Sequence, residues 1–178
     1  LLSKQFASPA PNGGNVILKP TFGHHRRSVD AIFALAEGYD LRIYLLFINS
    51  LKISGFKGDL VISVSSVENL QPGVEDYLRS LQTQEGEDGL NVVAYTVIWV
   101  CYEGDGKTIA NGAKEGIRNC ELVNLYGDET TGTAIKDPRQ ARPVATARYE
   151  LYWAWSLQYD KHNWLMLIDS RDTYFQTN

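Results

Sequence analysis

The stretch Trp164-Leu165-Met166-Leu167-Ile168-Asp169-Ser170-Arg171-Asp172 decides how the rest of the chain is read. Its apolar run predicts a short strand that ends abruptly in a carboxylate, with three polar or charged residues directly after it. In open α/β sheets ligands bind at the carboxyl ends of the strands. Carboxylates in such a place suit a hard divalent cation that also holds phosphate oxygens. A plain turn, with Asp169 capping it and Arg171 and Asp172 paired at the surface, has the same pattern.

Upstream, residues 144–159 predict a helix after Pro143. On it Val144, Arg148, Leu151, Tyr152 and Trp155 share one face. The head of Arg148 therefore emerges within an aromatic stripe. It must reach water, pair with a distant carboxylate such as Asp169 or Asp172, or meet an anionic ligand. Residues 103–142 are the least readable part, with a short strand at 122–126 and a Gly/Thr/Asp-rich loop at 127–138.

Further toward the start, residues 92–100 are β-branched and aromatic and predict a strand buried on both faces. Val74, Tyr77, Leu78 and Leu81 keep helical spacing after Pro72, which a first helical turn tolerates. Residues 61–64 predict a strand. Asp40 can cap a helix over residues 40–54, where Tyr44, Phe47, Ile48 and Leu51 share a face and Gly55 can end it. Val16-Ile17-Leu18 is a candidate first strand, leading into Thr21-Phe22-Gly23 and the basic tetrad His24-His25-Arg26-Arg27. Thr21 and Phe22 would then lie, like Asp169, at strand carboxyl ends. The tetrad suits either a phosphate contact or, more readily, a solvated loop. Residues 1–15, rich in Ser, Pro, Gly and Asn, read as a linker or loop, leaving residues 16–178 as one α/β domain. Strands alternating with helices argue for a mostly parallel sheet flanked by helices.

Composition narrows the function classes. The chain of 178 residues has 44% hydrophobic and 21% charged residues, the balance of a globular domain. A net charge of -4 argues against a general nucleic-acid binder. Cys101 and Cys120 are too few for a disulfide scaffold, and one bridge or two free thiols are equally open. The chain lacks a phosphate-cradling Gly-Lys-Ser/Thr loop, a dinucleotide glycine fingerprint, a nucleophile elbow and a zinc-spaced Cys/His cluster.

Ala147-Arg148-Tyr149 on an aromatic helix, followed by Leu165-Met166-Leu167-Ile168-Asp169-Ser170-Arg171-Asp172-Thr173-Tyr174-Phe175-Gln176, resembles a group of GT-A-like nucleotide-sugar glycosyltransferases with an Asp-x-Arg-Asp-x-x-Phe-Gln signature. Residues 45–64 resemble that family's opening βαβ unit. The resemblance implies a Rossmann-like GT-A fold, here its donor-binding half without the acceptor part. It implies transfer of sugar from a UDP- or GDP-sugar to a glycan, protein or lipid acceptor. It also implies Mn²⁺ or Mg²⁺ at the DxD-type site, and a Golgi or endoplasmic-reticulum lumenal setting with any membrane anchor outside this sequence. Asp169 matches the first Asp of the site and Arg148 the cation near the donor phosphates. Thr21 and Phe22 fall where the first strand meets the nucleotide. Arg171 stands where the family's second Asp is usual. Hence either Asp172 joins Asp169 on the metal, or Arg171 itself holds the diphosphate. The catalytic base is expected beyond residue 178, leaving this chain weakly active or inactive alone. A metal-dependent nucleotidyltransferase or phosphate-ester-cleaving enzyme, or a non-catalytic degenerate transferase, would use or retain the same carboxylates.

Overall fold

Ala31–Leu35 (β2) is the central strand of the chain's main sheet, and the sequence reading passes over it. Five apolar residues between a basic loop and a helix carry no periodicity that separates strand from helix. Pairing settles the matter. β2 runs parallel to Asp59–Val64 (β3) on one edge and to Leu165–Asp169 (β9) on the other. Asn91–Thr96 (β4) pairs parallel on the far side of β3, so the order is β4-β3-β2-β9. The computed structural model describes residues 15–84, 89–105, 107–110, 119–135, 137 and 139–176. Residues 1–14 of the expected linker, and Lys136 and Pro138 of the expected loop, lie outside these.

Helix Leu41–Ile53 (α1) forms as its spacing predicts. The side chain of Asp40 accepts the Ile43 N–H at 3.1 Å, satisfying one of the orphan donors of the first turn. Tyr44, Phe47, Ile48 and Leu51 are buried. Val74–Gln84 (α2) begins just after the Pro72-Gly73 turn and buries Val74, Leu78 and Leu81. Both helices join one core with the sheet residues Ile32, Ala34, Leu60, Ile62, Val92 and Ala94. Strand side chains alternate, so Phe33 points to the opposite face. There it is fully buried among Tyr152, Trp155 and Tyr159, with ring centroids 6.1, 5.6 and 5.9 Å away. Tyr152 and Trp155 come from helix Val144–Ser156 (α3). The sheet is thus flanked by helices on both faces.

The chain divides into two compact units. Residues 19–97 and 150–178 hold the parallel sheet. Residues 1–18 and 98–149 make the other unit, which contains most of the stretch that the sequence left obscure. In it Asn15–Val16 (β1) pairs antiparallel with Tyr126–Gly127 (β7). The expected first strand therefore starts here and belongs to a two-stranded ribbon, outside the parallel sheet. Trp99–Tyr102 (β5), Asn119–Leu122 (β6) and Arg142–Pro143 (β8) form a second antiparallel sheet in the order β5-β6-β8. The single strand expected over residues 92–100 is two, β4 and β5. Val97 and Ile98 make the break, because Val97 N–H still bonds Val64 O at 3.2 Å while Ile98 O accepts from Val123 N–H at 3.1 Å. β-Propensity is continuous through the corner and does not mark it.

Cys101 and Cys120 face each other across β5 and β6 and are bridged. A bridge here restricts the unfolded chain far more than it reshapes two strands already in register. With a sequence separation of 19, the double substitution Cys101→Ser/Cys120→Ser is predicted to cost about 3 kcal/mol in urea-induced unfolding. Truncating Phe33→Ala is predicted to cost about 3–5 kcal/mol in the same assay, because three large rings surround the cavity it leaves.

Candidate functional site

β2 and β9 end side by side, with Leu35 in register with Asp169. From β2 the chain proceeds through α1 to β3 on one side, whereas β9 lies on the other. Connections thus diverge at this pair of strands, the topological switch point where a parallel sheet opens a crevice at its carboxyl edge. Two short segments line that end: Ala36-Glu37-Gly38-Tyr39 after β2 and Ser170-Arg171-Asp172 after β9.

The frame around them is tied down by hydrogen bonds. Ala36 N–H donates to Ser63 O at 3.0 Å, and Tyr44 Oη–H donates to Ala36 O. Gly38 N–H donates to Ser65 Oγ at 3.1 Å. Its φ of 75° is left-handed, a conformation that suits glycine. The buried Ser170 donates its hydroxyl to Leu35 O, stitching the end of β9 to the end of β2. Asp169 Oδ1 accepts the Arg171 N–H at 3.1 Å, which closes the turn and keeps Asp169 exposed at its mouth. Arg171 Nε and Nη2 each lie 3.3 Å from an Asp172 oxygen. Both side chains are largely solvated, so this pairing is worth little and yields readily to a better anion or cation.

Tyr39 reports the field of the site. Its hydroxyl is held above the ordinary tyrosine range, first by burial and then by the negative charge of Asp169. Asp172 and Glu37 push in the same direction, and Arg171 opposes them. Three carboxylates and one guanidinium therefore act on one phenol at the switch point. Among the described residues no group of three His, Cys, Asp or Glu side chains is placed to hold a metal ion. Asp169 and Asp172 fit a hard cation that takes one or two carboxylates and completes its shell with water and phosphate oxygens, as Mg²⁺ commonly does.

Thr21 and Phe22 do not gather here. Thr21 and Phe22 lie along the outer edge of β4, where Phe22 forms an antiparallel bridge with Ala94 and Thr21 Oγ1 donates to Thr96 Oγ1 at 2.9 Å. At ~4.8 Å per strand that edge is about 19 Å across the sheet from β9. Phe22 is a core residue, with the Arg79 guanidinium 5.2 Å from its ring centroid. The physical reason is that β2, not residues 16–18, is the sheet's first strand, so residues 36–39 occupy the place expected for Thr21 and Phe22. Arg148 belongs to the other unit. Its guanidinium stands 5.5 Å from the Tyr149 ring centroid, and its Nε is buried without a hydrogen-bond partner. Glu37, Tyr39 and Ser65 are the site residues that sequence reasoning missed. The signal was the apolar run Ala31-Ile32-Phe33-Ala34-Leu35 ending in Ala-Glu-Gly-Tyr, the same design as residues 164–172.

No family model, curated protein or solved structure matches this chain.

The field at Tyr39 is directly measurable. In Asp169→Asn the phenol is predicted to titrate at lower pH than in the parent, because the substitution removes a negative charge that disfavours the phenolate. Ring-carbon NMR of Tyr39 against pH reads the difference. An unchanged titration would show that the Asp169 carboxylate does not act on this end of β2.

Proposed function

We propose that this chain is the donor-binding part of a nucleotide-sugar glycosyltransferase with a Rossmann-like GT-A fold. The observation that carries the reading is topological: an acidic turn, Asp169 to Asp172, stands at the carboxyl edge between β2 and β9, where the strand order switches. The signature resemblance of residues 165–176 supports the same assignment independently of the fold.

In this reading Asp169 and Asp172 hold Mn²⁺ or Mg²⁺ together with the donor diphosphate. When bound, the ion supplies Lewis-acid stabilisation of the charge that develops on the leaving group. Arg171 exchanges its weak pairing with Asp172 for phosphate oxygens, which its planar fork can grip in two places. Arg148, the cation that the resemblance implies near the donor phosphates, belongs to the other unit. Glu37 and Tyr39, held by the bonds of Ala36 and Gly38, form the wall against which the nucleotide is oriented. The bridge between Cys101 and Cys120 supports an oxidising compartment, in keeping with a Golgi or endoplasmic-reticulum lumen. The acceptor is a glycan, a protein or a lipid.

Calorimetric titration of UDP and GDP, with and without Mn²⁺, tests the proposal. Metal-dependent binding of one nucleoside diphosphate is expected, weakened at least about tenfold in Asp169→Asn, the equivalent of roughly 1.4 kcal/mol. Binding indifferent to both metal and Asp169 would move the diphosphate onto Arg171. Absence of binding under all conditions, or release of free phosphate or pyrophosphate from a nucleotide substrate, would overturn the sugar-transfer reading.

A further inference from the structure

The basic tetrad at residues 24–27 has no part in the proposed donor site. Arg26 is locked onto Asp59, the first residue of β3, by its Nε at 2.8 Å and its backbone N–H at 2.8 Å, while its Nη2 reaches Lys57 O at 2.9 Å. Arg27 pairs with Asp160 at 2.8 Å. His25 turns inward. Its Nδ1 lies 2.7 Å from Tyr159 Oη and its Nε2 2.6 Å from Tyr95 Oη.

Proton positions in this cluster follow from counting donors and acceptors. Asp59 is fully buried and takes four hydrogen bonds: Arg26 N–H, Arg26 Nε–H, Asn91 Nδ2–H at 3.0 Å and Tyr159 Oη–H at 2.8 Å. A carboxylate has about four acceptor sites, all of them used here. Tyr159 therefore spends its one proton on Asp59, and its oxygen must accept from His25. That requires the proton on Nδ1. Nε2 is then a bare acceptor, and Tyr95 must be the donor to it. The chain is Tyr95 to His25 to Tyr159 to Asp59, every proton pointing the same way. The neutral Nδ1–H imidazole gives every donor in it an acceptor, whereas a charged ring would leave the Tyr95 proton without one.

We propose that this cluster is an acid-released clasp. A neutral Nδ1–H imidazole fastens the loop of residues 24–28 and the chain after α3 onto the sheet, and the fastening opens when Nε2 takes a proton. Protonation turns Nε2 into a donor, so the Tyr95 oxygen must switch to accepting and the buried Tyr95 hydroxyl proton loses its acceptor. It also places a cation in an aromatic pocket made by Tyr95, Tyr159 and their neighbours.

The charged and titratable groups around the imidazole are few. β3 offers Asp59, β4 offers Tyr95, and the segment after α3 offers Tyr159 and Asp160. The loop itself carries His24, Arg26 and Arg27. Asp59 favours a charged His25, but its oxygens are committed to other donors and Asp160 is committed to Arg27. Burial is the largest effect, and it lowers the His25 titration to about 4. A folded-state value below the ordinary one of about 6.5 means that the clasp's contribution is complete above that pH. It is lost progressively as pH falls from about 6.5 to about 4, where the unfolded chain binds the proton and the folded one does not. The inference is independent of the donor-site reading.

Nitrogen-15 NMR of the imidazoles, followed from pH 7 to pH 4, tests it. His25 is expected to be the neutral Nδ1–H form at pH 7 and still neutral at pH 5. Protection of the Arg26 amide, bonded to Asp59, is expected to fall in step with the His25 titration. Tyr95→Phe keeps the ring against Trp155 (centroids 5.3 Å apart) and removes only the hydroxyl donor. Its His25 is expected to titrate at higher pH than in the parent. A neutral Nε2–H form, a His25 titration in the ordinary range, or an unmoved titration in Tyr95→Phe would overturn the proton assignment. An Arg26 amide still protected when His25 is charged would overturn the clasp.

Discussion

The double pairing of β2 is the constraint from which the rest of the parallel sheet follows. A strand hydrogen-bonded on both edges to parallel neighbours cannot slip by one residue without turning Phe33 out of its aromatic nest and Ile32 and Ala34 out of the α1–α2 core. That register sets Leu35 beside Asp169 and Ser63, and so decides which side chains meet at the carboxyl edge. The candidate site is a consequence of this alignment. Asp169, Glu37 and Tyr39 come from segments more than a hundred residues apart, yet they sit at the ends of adjacent strands.

The two ends of the sheet are organised differently, and the difference is electrostatic. At the amino edge, Asp59 is buried and saturated with donors, and burial holds the His25 titration below its ordinary range. Each charge there has its partner inside the protein, as buried charge must. At the carboxyl edge Asp169, Arg171 and Asp172 stay in water, bonded chiefly within their own turn. Polar groups held loosely at the surface of a rigid frame are free to change partners, which a binding site needs and a structural clasp cannot tolerate. The outer strand β9 shares this openness: Leu165, Met166 and Leu167 are exposed, and neighbouring Trp164 is 81% exposed.

Helices were legible in the sequence because their signals are local. The cap at Asp40 and the buried spacing of α1, α2 and α3 are written in residues three and four apart, and each helix lies within a residue or a few of its expected bounds. Strand β9 was legible for a similar reason, an apolar run stopped by Asp169. Strand β2 has an apolar run of the same length, but nothing near it distinguishes strand from helix. Thr21 and Phe22 were misplaced as a direct result, since the loop after the true first strand was not recognised. The corner at Val97 and Ile98 lies inside an unbroken β-forming run, where local preference is the same on both sides of the bend.

By itself, the sequence determined the class of the fold, the helices, the acidic turn at residues 169–172 and the amphipathic setting of Arg148, all of which rest on neighbours along the chain. Only the tertiary structure decided which strand is central, that Cys101 and Cys120 are bridged, that Arg26 and His25 serve Asp59 rather than an anion, and that Glu37 and Tyr39 join Asp169. Those outcomes depend on pairings between segments 19 to more than a hundred residues apart. Their free energy comes from burial and hydrogen bonds completed across the fold, and no window of local sequence contains both partners.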